Sequence, residues 1–471
     1  MESRPSTLCG LQSMSLVRRL LWRTRLRAGG ETLDKFDQLR EMQGLNKATF
    51  ESVQKDRLKA LLVHAYRQVP YYQELFETHD LVVKGEVDLE RFTHLPLLDK
   101  DILRTQGERL HSADLSTRSW FEDTSGGSTG EPVRFIQDAD YHEWMMATKL
   151  LFDEWTGYRP GDRKVKLWGS ERDLLVGNET LKTYLGRYLR NEETLNTFRM
   201  SPDEMRDYVQ TINTFKPKQI LAYVESAFEL ARFVEREGLE VYAPGAVMTS
   251  AGTLHDDVRE KLETVFRAPV FNRYGSREVG DIACTYPNRT ELYIAPTQHV
   301  EILNDDGSPT PPGEMGEVVV TLLSNFAMPL IRYRIGDTAI RAADARAGAL
   351  AWSALETVTG RVTDTFLSAD GTQVNGEYFT HLFYFRDWVR KFQVVQEAYD
   401  QITVKIVPHS PTFERGNVAD ELAAIERDVQ VAMGECGVTF DFVEDIPPTA
   451  SGKYRYTISK VTRAAKEQGL R

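Results

Sequence analysis

The most informative stretch of the sequence is Asp123-Thr124-Ser125-Gly126-Gly127-Ser128-Thr129-Gly130-Glu131-Pro132. Residues 124–130 hold three glycines and four hydroxyl side chains, so the backbone can approach a ligand closely and offers many N–H and O–H donors. Such a loop is suited to a polyphosphate, whereas the simpler interpretation is an ordinary surface loop. It is not a Walker loop, because no Gly-Lys-Ser/Thr follows a GxxxxG pattern, and it is not a dinucleotide-binding fingerprint.

Two later clusters each join an aromatic residue, a glycine and a carboxylate. Residues 271–278 read Phe-Asn-Arg-Tyr-Gly-Ser-Arg-Glu, and residues 330–337 read Leu-Ile-Arg-Tyr-Arg-Ile-Gly-Asp. In the first cluster, Tyr274 could lie against a base and Glu278 could hold Mg2+. In the second, Asp337 could accept two hydrogen bonds from a ribose diol. The simpler interpretations are a strand-to-helix turn and a surface ion pair.

Two short motifs with a cationic residue follow these clusters. They are Gly360-Arg361-Val362-Thr363-Asp364 and, near the C-terminus, Ser451-Gly452-Lys453. Arginine pairs well with phosphate, and a lysine presented by a Ser-Gly turn can reach an anion. Each motif alone is common in proteins and predicts little.

The five motifs occur in the order found in the adenylate-forming ligase superfamily, within about 330 residues. The family patterns are T-S-G-S/T-T-G-x-P, Y-G-x-T-E, Y-R-T-G-D, G-R-x-x-D and P-x-T-x-S-G-K. The chain therefore resembles this superfamily over about residues 40–460, and most of all its branch of phenylacetate–CoA ligases and capsular polysaccharide biosynthesis (CapK) proteins. The resemblance implies an α/β fold, with a large N-terminal domain of mixed sheets and helices and a small mobile α+β C-terminal domain.

The resemblance also implies a role for each matching residue. It implies an ATP site formed by Ser125, Gly127, Ser128, Thr129, Gly130, Ser250, Ala251, Gly252, Tyr274, Gly275, Asp337 and Arg361. Glu278 would bind Mg2+, and Lys453 would bridge the substrate carboxylate and the α-phosphate, so these two are the predicted catalytic residues. Asp364 would lie at the hinge of the C-terminal domain.

The function implied is activation of a carboxylic acid by ATP and Mg2+ as its acyl-adenylate, followed by acyl transfer to a thiol, with coenzyme A as the co-substrate. A second hypothesis transfers the acyl group to an amine or a hydroxyl in polysaccharide or natural-product biosynthesis. A third is a degenerate nucleotide-binding protein with a structural role. Trp168 and Tyr223 are candidates for an acyl pocket or an acceptor channel, with ordinary packing at strand ends as the alternative.

Composition limits the class of protein. The chain has 471 residues, 41% apolar and 27% charged, and its 70 acidic and 58 basic residues give a formal charge of −12. This balance argues against a general nucleic-acid binder. The three cysteines, Cys9, Cys284 and Cys436, lie far apart, which excludes a disulfide framework and fits a reducing cytoplasm. No apolar run approaches the length of a membrane-spanning helix.

The N-terminus is a basic exception. Residues 1–30 contain six arginines and one acid, interleaved with Leu16, Leu20, Leu21 and Trp22. Residues 15–27 could make peripheral contact with the inner membrane surface. The simpler interpretation is an arginine-fringed helix packed on the body of the protein, and the segment superficially resembles a transit peptide.

Hydrophobic periodicity predicts alternating helices and strands between residues 120 and 360. Strands are predicted at Gln219–Tyr223, Ala246–Met248 and Glu317–Leu323, and helices at 56–77, ending in a turn, Ser226–Glu237 and Asp256–Phe266. A strand, a helix and a strand after residue 400 predict a separate unit. The predicted domains are a basic amphipathic segment at 1–30, a large domain binding ATP and acid at 31–363, and a small domain carrying Lys453 at 364–471.

Overall fold

The computed structural model describes residues 30–124, 133–169, 190–197, 199–304, 306–343, 350–359, 365–383, 386, 388–408, 415–446 and 456–461, together with Thr24 and Arg27. The structural statements below refer to these residues. None of the helices within them is both long enough and apolar enough to cross a membrane.

Helices dominate the N-terminal part and recur between the later strands. The α-helices are α1 (Thr32–Met42), α2 (Lys47–Gln68), α3 (Pro70–Thr78), α4 (Lys100–Gln106), α5 (Ala139–Trp155), α6 (Pro202–Phe215), α7 (Val224–Arg236), α8 (Asp256–Phe266), α9 (Gly376–His381) and α10 (Ala419–Met433). Short 3-10 helices occupy Leu89–His94, Gly107–Leu110, Leu115–Thr117 and Arg415–Val418.

The strands fall into one large sheet and several small ones. They are β1 (Val82–Val83), β2 (Glu86–Val87), β3 (Trp120–Thr124), β4 (Arg134–Asp138), β5 (Lys164–Trp168), β6 (Glu192–Asn196), β7 (Arg199–Met200), β8 (Gln219–Tyr223), β9 (Ala246–Ser250), β10 (Val270–Ser276), β11 (Gly280–Thr285), β12 (Leu292–Ile294), β13 (Gln298–Leu303), β14 (Met315–Leu322), β15 (Tyr333–Arg341), β16 (Ala354–Thr359), β17 (Thr365–Leu367), β18 (Gln373–Asn375), β19 (Val389–Ala398), β20 (Gln401–Pro408), β21 (Gly437–Phe442) and β22 (Thr457–Ser459).

The large sheet has eleven strands in the order β13-β14-β15-β16-β12-β11-β10-β9-β8-β5-β6. The half formed by β6, β5, β8, β9 and β10 is parallel. From β10 to β13 all the pairings are antiparallel. Strand β10 therefore marks the boundary between the two halves, and its two neighbours run in opposite directions.

Helices cover both faces of the parallel half of the sheet. Successive strand residues point to opposite faces, so apolar neighbours on one strand pack against different helices. On β8, Ile220 and Ala222 join a buried cluster with α6, α7 and α8. Leu221 lies between them in sequence and joins another cluster with α1 and α5. A third cluster packs α2, α3 and the segment up to Leu110 against the antiparallel half. The predicted α/β class with mixed sheets is confirmed.

The C-terminal part has its own core. A four-stranded sheet in the order β21-β20-β19-β22 packs with α9 and α10 in one buried cluster. A smaller sheet, β17-β18-β7, pairs Gln373 and Val374 with Met200 and Arg199. The C-terminal part thus shares a short ladder with the large part of the chain.

Most elements predicted from periodicity are present. The predicted strands correspond to β8, β9 and β14, and the predicted helices to α7 and α8. One detail differs at residues 56–77. The helix ends at Gln68, as Pro70 led us to expect, but Pro70 begins a second helix, α3, instead of a turn. Proline is well suited to the first turn of a helix, where its missing N–H needs no partner.

Stability is expected to fall as the pH is lowered from 7.5 to 5.5. Burial is the main cause that lowers the pKa of His64 and of His299 in the folded protein. An unfolded histidine has a pKa of about 6.5, so below that pH the unfolded chain binds protons that these folded side chains do not. Each such histidine lowers the free energy of unfolding by at most about 1.4 kcal/mol per pH unit. Denaturant titrations at several pH values measure this slope.

Two variants test whether histidines with a lowered pKa cause this pH dependence of stability. His64→Gln is expected to reduce the slope, because it removes one of the histidines whose pKa is lowered by burial. His79→Gln, which replaces an exposed histidine after α3, is expected to leave the slope unchanged. A stability that stays flat or rises on acidification over this range would contradict the prediction.

Candidate active site

Several predicted site residues lie at the carboxyl ends of neighbouring parallel strands. Ser250 is the last residue of β9, and Ala251 and Gly252 follow it directly. Tyr274 lies near the end of β10, which is parallel to β9. Ligands of open α/β sheets bind at this edge. The fold therefore brings the 250–252 segment and Tyr274 to one edge of the sheet.

A side-chain hydrogen bond joins two of the sequence motifs. The Tyr274 hydroxyl donates to Asp337 Oδ2 at 2.9 Å across 63 residues of sequence. Both side chains are partly exposed, Tyr274 on β10 and Asp337 on β15. A tyrosine ring can lie against a flat ligand, and an aspartate can accept hydrogen bonds from hydroxyl donors.

The backbone near these residues leaves little room for larger side chains. A Cβ atom at Gly275 would collide with the carbonyl oxygen of Gly280, where the β10–β11 ladder shifts register. A Cβ atom at Gly252 would lie 2.7 Å from Glu225 Oε1. Ala251 has a φ of 56°, which is uncommon for a residue other than glycine. Residues in such conformations concentrate at functional sites.

Glu278 lies in the turn between β10 and β11 and is almost completely buried. Its Oε1 atom is 3.5 Å from Lys100 Nζ, and the two side chains are 6% and 12% exposed, respectively. The Tyr333 hydroxyl lies 3.5 Å from the same oxygen. Both contacts are long, so the carboxylate oxygens keep lone pairs that suit a hard cation such as Mg2+.

Gln137 on β4 fixes the position of this turn. Its Nε2 atom donates to the carbonyl oxygens of Arg277, at 3.1 Å, and of Glu278, at 3.4 Å. The hairpin of β3 and β4 ends at the pair Thr124 and Arg134. Because Arg134 is three residues from Gln137, the described end of this hairpin lies roughly 10 Å along the strand from Gln137.

The remaining predicted site residues lie outside the part of the chain that the structure describes. These are Ser125, Gly127, Ser128, Thr129, Gly130, Arg361, Asp364 and Lys453. The N-terminal segment 15–27 also lies outside it, apart from Thr24 and Arg27, which are helical and exposed. Their assigned roles stay predictions.

Three residues at the site were not found from the sequence: Lys100, Gln137 and Tyr333. Lys100 did carry a signal, because it is the first residue of α4, with Asp99 as the N-cap. A cation is disfavoured at a helix N-terminus, so a lysine there indicates another role. Gln137 and Tyr333 carry no such local signal, since their partners are distant in sequence.

Two other polar features of the described chain, an acidic group and a surface groove, are separate from the candidate site. The carboxylates of Glu31, Asp140 and Glu143 come within 4.8 Å of one another. Lys35 Nζ lies 2.7–3.0 Å from all three, so a lysine ammonium already offsets part of their negative charge. A surface groove that includes Arg163 and neighbouring residues opens at the amino ends of the parallel strands, the edge opposite the candidate site.

The aromatic pair noted in the sequence is formed. The rings of Trp168 and Tyr223 lie 4.1 Å apart, centroid to centroid, and are inclined by 32°. They are the last residues of β5 and β8, at the same edge as Ser250 and Tyr274. The two candidate acyl-pocket residues are thus on the edge of the sheet that carries the candidate ATP site.

Comparisons with known proteins agree with the motifs. Residues 366–460 match the family model of the CapK C-terminal domain. Protein CapK of Staphylococcus aureus is 24% identical over 442 residues, which cover 91% of this chain and 92% of that protein. A phenylacetate-coenzyme A ligase of Thermus thermophilus is 26% identical over 309 residues, covering 63% of this chain and 67% of the enzyme.

The fold is also that of a solved acyl-CoA ligase. The structure of 2-hydroxyisobutyryl-CoA ligase in complex with 2-HIB-AMP and CoA superposes with a TM-score of 0.57 and 17% sequence identity. The superposition covers 91% of this chain and 93% of the other. Together, the sequence relatives and this shared fold confirm the resemblance drawn from the five motifs.

Proposed function

We propose a function from the similarity of the chain to CapK and to the phenylacetate–CoA ligases, which points to the adenylate-forming ligase superfamily. The function is ATP-dependent activation of a carboxylic acid as its acyl-adenylate, followed by acyl transfer to the thiol of coenzyme A. The observation that carries this proposal is the 2.9 Å hydrogen bond between Tyr274 and Asp337. It joins the motif proposed for the adenine to the motif proposed for the ribose.

The proposed reaction has two steps. A substrate carboxylate oxygen attacks the α-phosphorus of ATP, the bond from that phosphorus to the oxygen bridging to the β-phosphate breaks, and pyrophosphate leaves. The thiol of coenzyme A then loses its proton, its sulfur attacks the acyl carbonyl carbon, and AMP leaves with the electrons of the broken C–O bond. Negative charge develops on the α-phosphoryl oxygens in the first step, so fixed cations and N–H donors lower its barrier.

Each described residue supports one part of this reaction. Tyr274 would lie against the adenine, opposite the backbone of residues 250–252, and Asp337 would accept hydrogen bonds from the ribose hydroxyls. Glu278 would hold Mg2+, which would neutralise charge on the phosphates. Lys100, next to Glu278, would add a further cation at the phosphate side of the site.

The residues outside the described part complete the proposal through the family resemblance. Ser125, Gly127, Ser128, Thr129 and Gly130 would bind the β- and γ-phosphates through backbone amides and hydroxyls. Arg361 would lie near the ribose or a phosphate. Lys453 would bridge the substrate carboxylate and the α-phosphate.

The experiment that tests this function measures pyrophosphate release from ATP and Mg2+ over a panel of aryl, fatty, hydroxy, amino and dicarboxylic acids. Each acid is assayed with and without coenzyme A, and ATP binding is measured separately. Release that depends on both an acid and coenzyme A supports the proposal. Turnover with an amine or hydroxyl acceptor alone would assign the transfer step differently, and no ATP binding at all would favour a structural role.

The hinge is tested by Asp364→Pro. Related enzymes turn the small domain about this position between the two steps, so a proline that restricts the backbone is expected to block acyl transfer and to spare adenylate formation. Single-turnover assays of acyl-adenylate and acyl-CoA formation measure the two steps separately. Asp370→Pro, in the loop between β17 and β18, is the control for a proline placed elsewhere in the small domain. Equal loss of both steps in Asp364→Pro would count against the hinge.

A further inference from the structure

Helix α5 presents one face to the start of β11. Tyr141, Met145 and Lys149 are four residues apart and therefore share that face. A Cβ atom at Gly280, the first residue of β11, would lie 2.8 Å from the Tyr141 hydroxyl oxygen and 3.4 Å from Met145 Cγ. This close approach fixes the helix face against the turn that carries Glu278.

Lys149 lies farther along this face and has no anionic partner within the described residues. It is partly buried, and its Nζ atom donates to Met145 Sδ at 3.6 Å. Burial lowers the pKa of Lys149 below that of an ordinary lysine, while the nearby charge of Asp281 opposes this effect. Placing an anion beside Lys149 would favour its charged form.

Arg273 and Asp281 lie near Lys149 and are also incompletely paired. Arg273 Nε is 3.7 Å from Asp281 Oδ1, which is too long for a hydrogen bond. Within the described chain, neither Arg273 Nε nor Asp281 Oδ2 has a hydrogen-bond partner, although both atoms are buried. Buried polar atoms are normally paired, so among the described residues Arg273 Nε lacks an acceptor and Asp281 Oδ2 lacks a donor. We refer to Lys149, Arg273 and Asp281 as the Lys149 cluster.

The Lys149 cluster carries an excess of positive charge. The two lysines of β5 that face α5 are balanced, since Lys166 Nζ lies 2.9 Å from Glu192 Oε2 and Lys164 Nζ lies 2.8 Å from Asp153 Oδ2. The cluster itself has two cations and one carboxylate. One negative charge from a ligand would balance it.

The Lys149 cluster lies beside the proposed nucleotide contacts. Arg273 directly precedes Tyr274 on β10, so the two side chains point to opposite faces of the strand. Asp281 on β11 pairs with Gly275 in the ladder. The cluster therefore lies beside α5, one residue along β10 from the proposed adenine contact.

We propose that the acid activated by this chain is a dicarboxylic acid, whose second carboxylate binds at the Lys149 cluster. This inference rests on the proposed function and specifies its substrate class. The second carboxylate would accept hydrogen bonds from Lys149 Nζ and Arg273 Nε and would balance the excess charge. An aryl or fatty acid would leave these buried polar atoms unpaired, and sites of this kind reject such analogues strongly.

The test compares dicarboxylic and monocarboxylic acids of equal chain length, such as succinate with butyrate and glutarate with pentanoate. In acid-dependent ATP–pyrophosphate exchange, we expect kcat/KM to be at least about 30-fold higher for the diacid, because a desolvated charge pair contributes at least this much. Lys149→Met is expected to remove this preference by lowering kcat/KM for the diacid. Lys149→Arg keeps the charge and is expected to retain part of the preference.

The controls separate this inference from the function on which it rests. Lys59→Met, which removes an exposed lysine of α2, is expected to leave the preference intact, and thermal unfolding verifies that each variant is folded. Calorimetric binding of the diacids is measured without ATP. Exchange with monoacids that equals or exceeds exchange with diacids overturns the inference and leaves the proposed function standing. Diacid binding that depends on Lys149 without any exchange supports the inference and counts against the proposed function, whereas neither binding nor exchange overturns both.

Discussion

Replacing Lys453 by alanine is expected to slow adenylate formation about 100- to 1,000-fold, the usual effect of removing one preorganised donor to a developing negative charge. The lysine would interact with the α-phosphoryl oxygens most strongly in the transition state, so binding of ATP itself is expected to change little. Acid-dependent ATP–pyrophosphate exchange measures the loss, and calorimetry with a non-hydrolysable ATP analogue measures binding.

Lys460 provides the matched control for Lys453. It follows β22 in the same C-terminal unit, and it forms an ion pair with Glu397. Lys460→Ala is expected to keep the normal exchange rate. A normal exchange rate in Lys453→Ala would contradict the catalytic role of this lysine. Equal losses of exchange rate in the two variants would indicate damage to the C-terminal unit as a whole.

Glu278→Gln is expected to lower the rate of adenylate formation by a similar factor, about 100- to 1,000-fold, and to raise the Mg2+ concentration needed for half-maximal activity. The substitution keeps the size of a buried side chain that is 6% exposed and removes its charge. Mg2+ prefers carboxylate oxygens, and a neutral amide is a weaker ligand. Titrations of the exchange rate with Mg2+ measure both effects.

Two further variants define the role of Glu278. Glu317→Gln removes the carboxylate that binds Arg334 at 2.7 Å between β14 and β15, and it is expected to leave the Mg2+ dependence unchanged. Lys100→Met, alone and combined with Glu278→Gln, measures the coupling between the two neighbouring side chains. If Glu278→Gln leaves the Mg2+ dependence unchanged, and the double variant is no slower than Lys100→Met alone, the ion pair would be structural and Glu278 would not bind the metal.

The sequence predicted local elements well because their signals are local. Gln219–Tyr223 was recognised as a strand from its apolar run, and Asp256–Phe266 as a helix from its periodicity, and both are present. Pro70 marked the end of a helix correctly but did not indicate that another helix begins there. A proline fits both a turn and the first position of a helix, so pattern alone does not separate the two.

Contacts between distant parts of the chain were largely beyond prediction from local pattern. The five motifs, taken by resemblance, named Tyr274 and Asp337 as parts of one site, and the hydrogen bond between them brings the two together. Lys100 pairs with Glu278 only because α4 packs onto the sheet. Gln137 donates to the backbone of the same turn only because the β3–β4 hairpin packs there too. No local periodicity encodes such packing.

Three buried cores lie within residues 39–358, and their distribution along the chain has a consequence for the protein while it is being synthesised. The core around α6, α7 and α8 takes its buried members from residues 165–270 alone, so it can form early. The apolar faces of α2 and α3, in contrast, pack against residues 279–358. The ribosome adds roughly 5–20 residues per second, so about ten to forty seconds pass between the synthesis of α2 and α3 and the synthesis of residues 279–358. We therefore expect helices α2 and α3 to be the part of the nascent chain that chaperones bind, because they emerge before the residues that cover them.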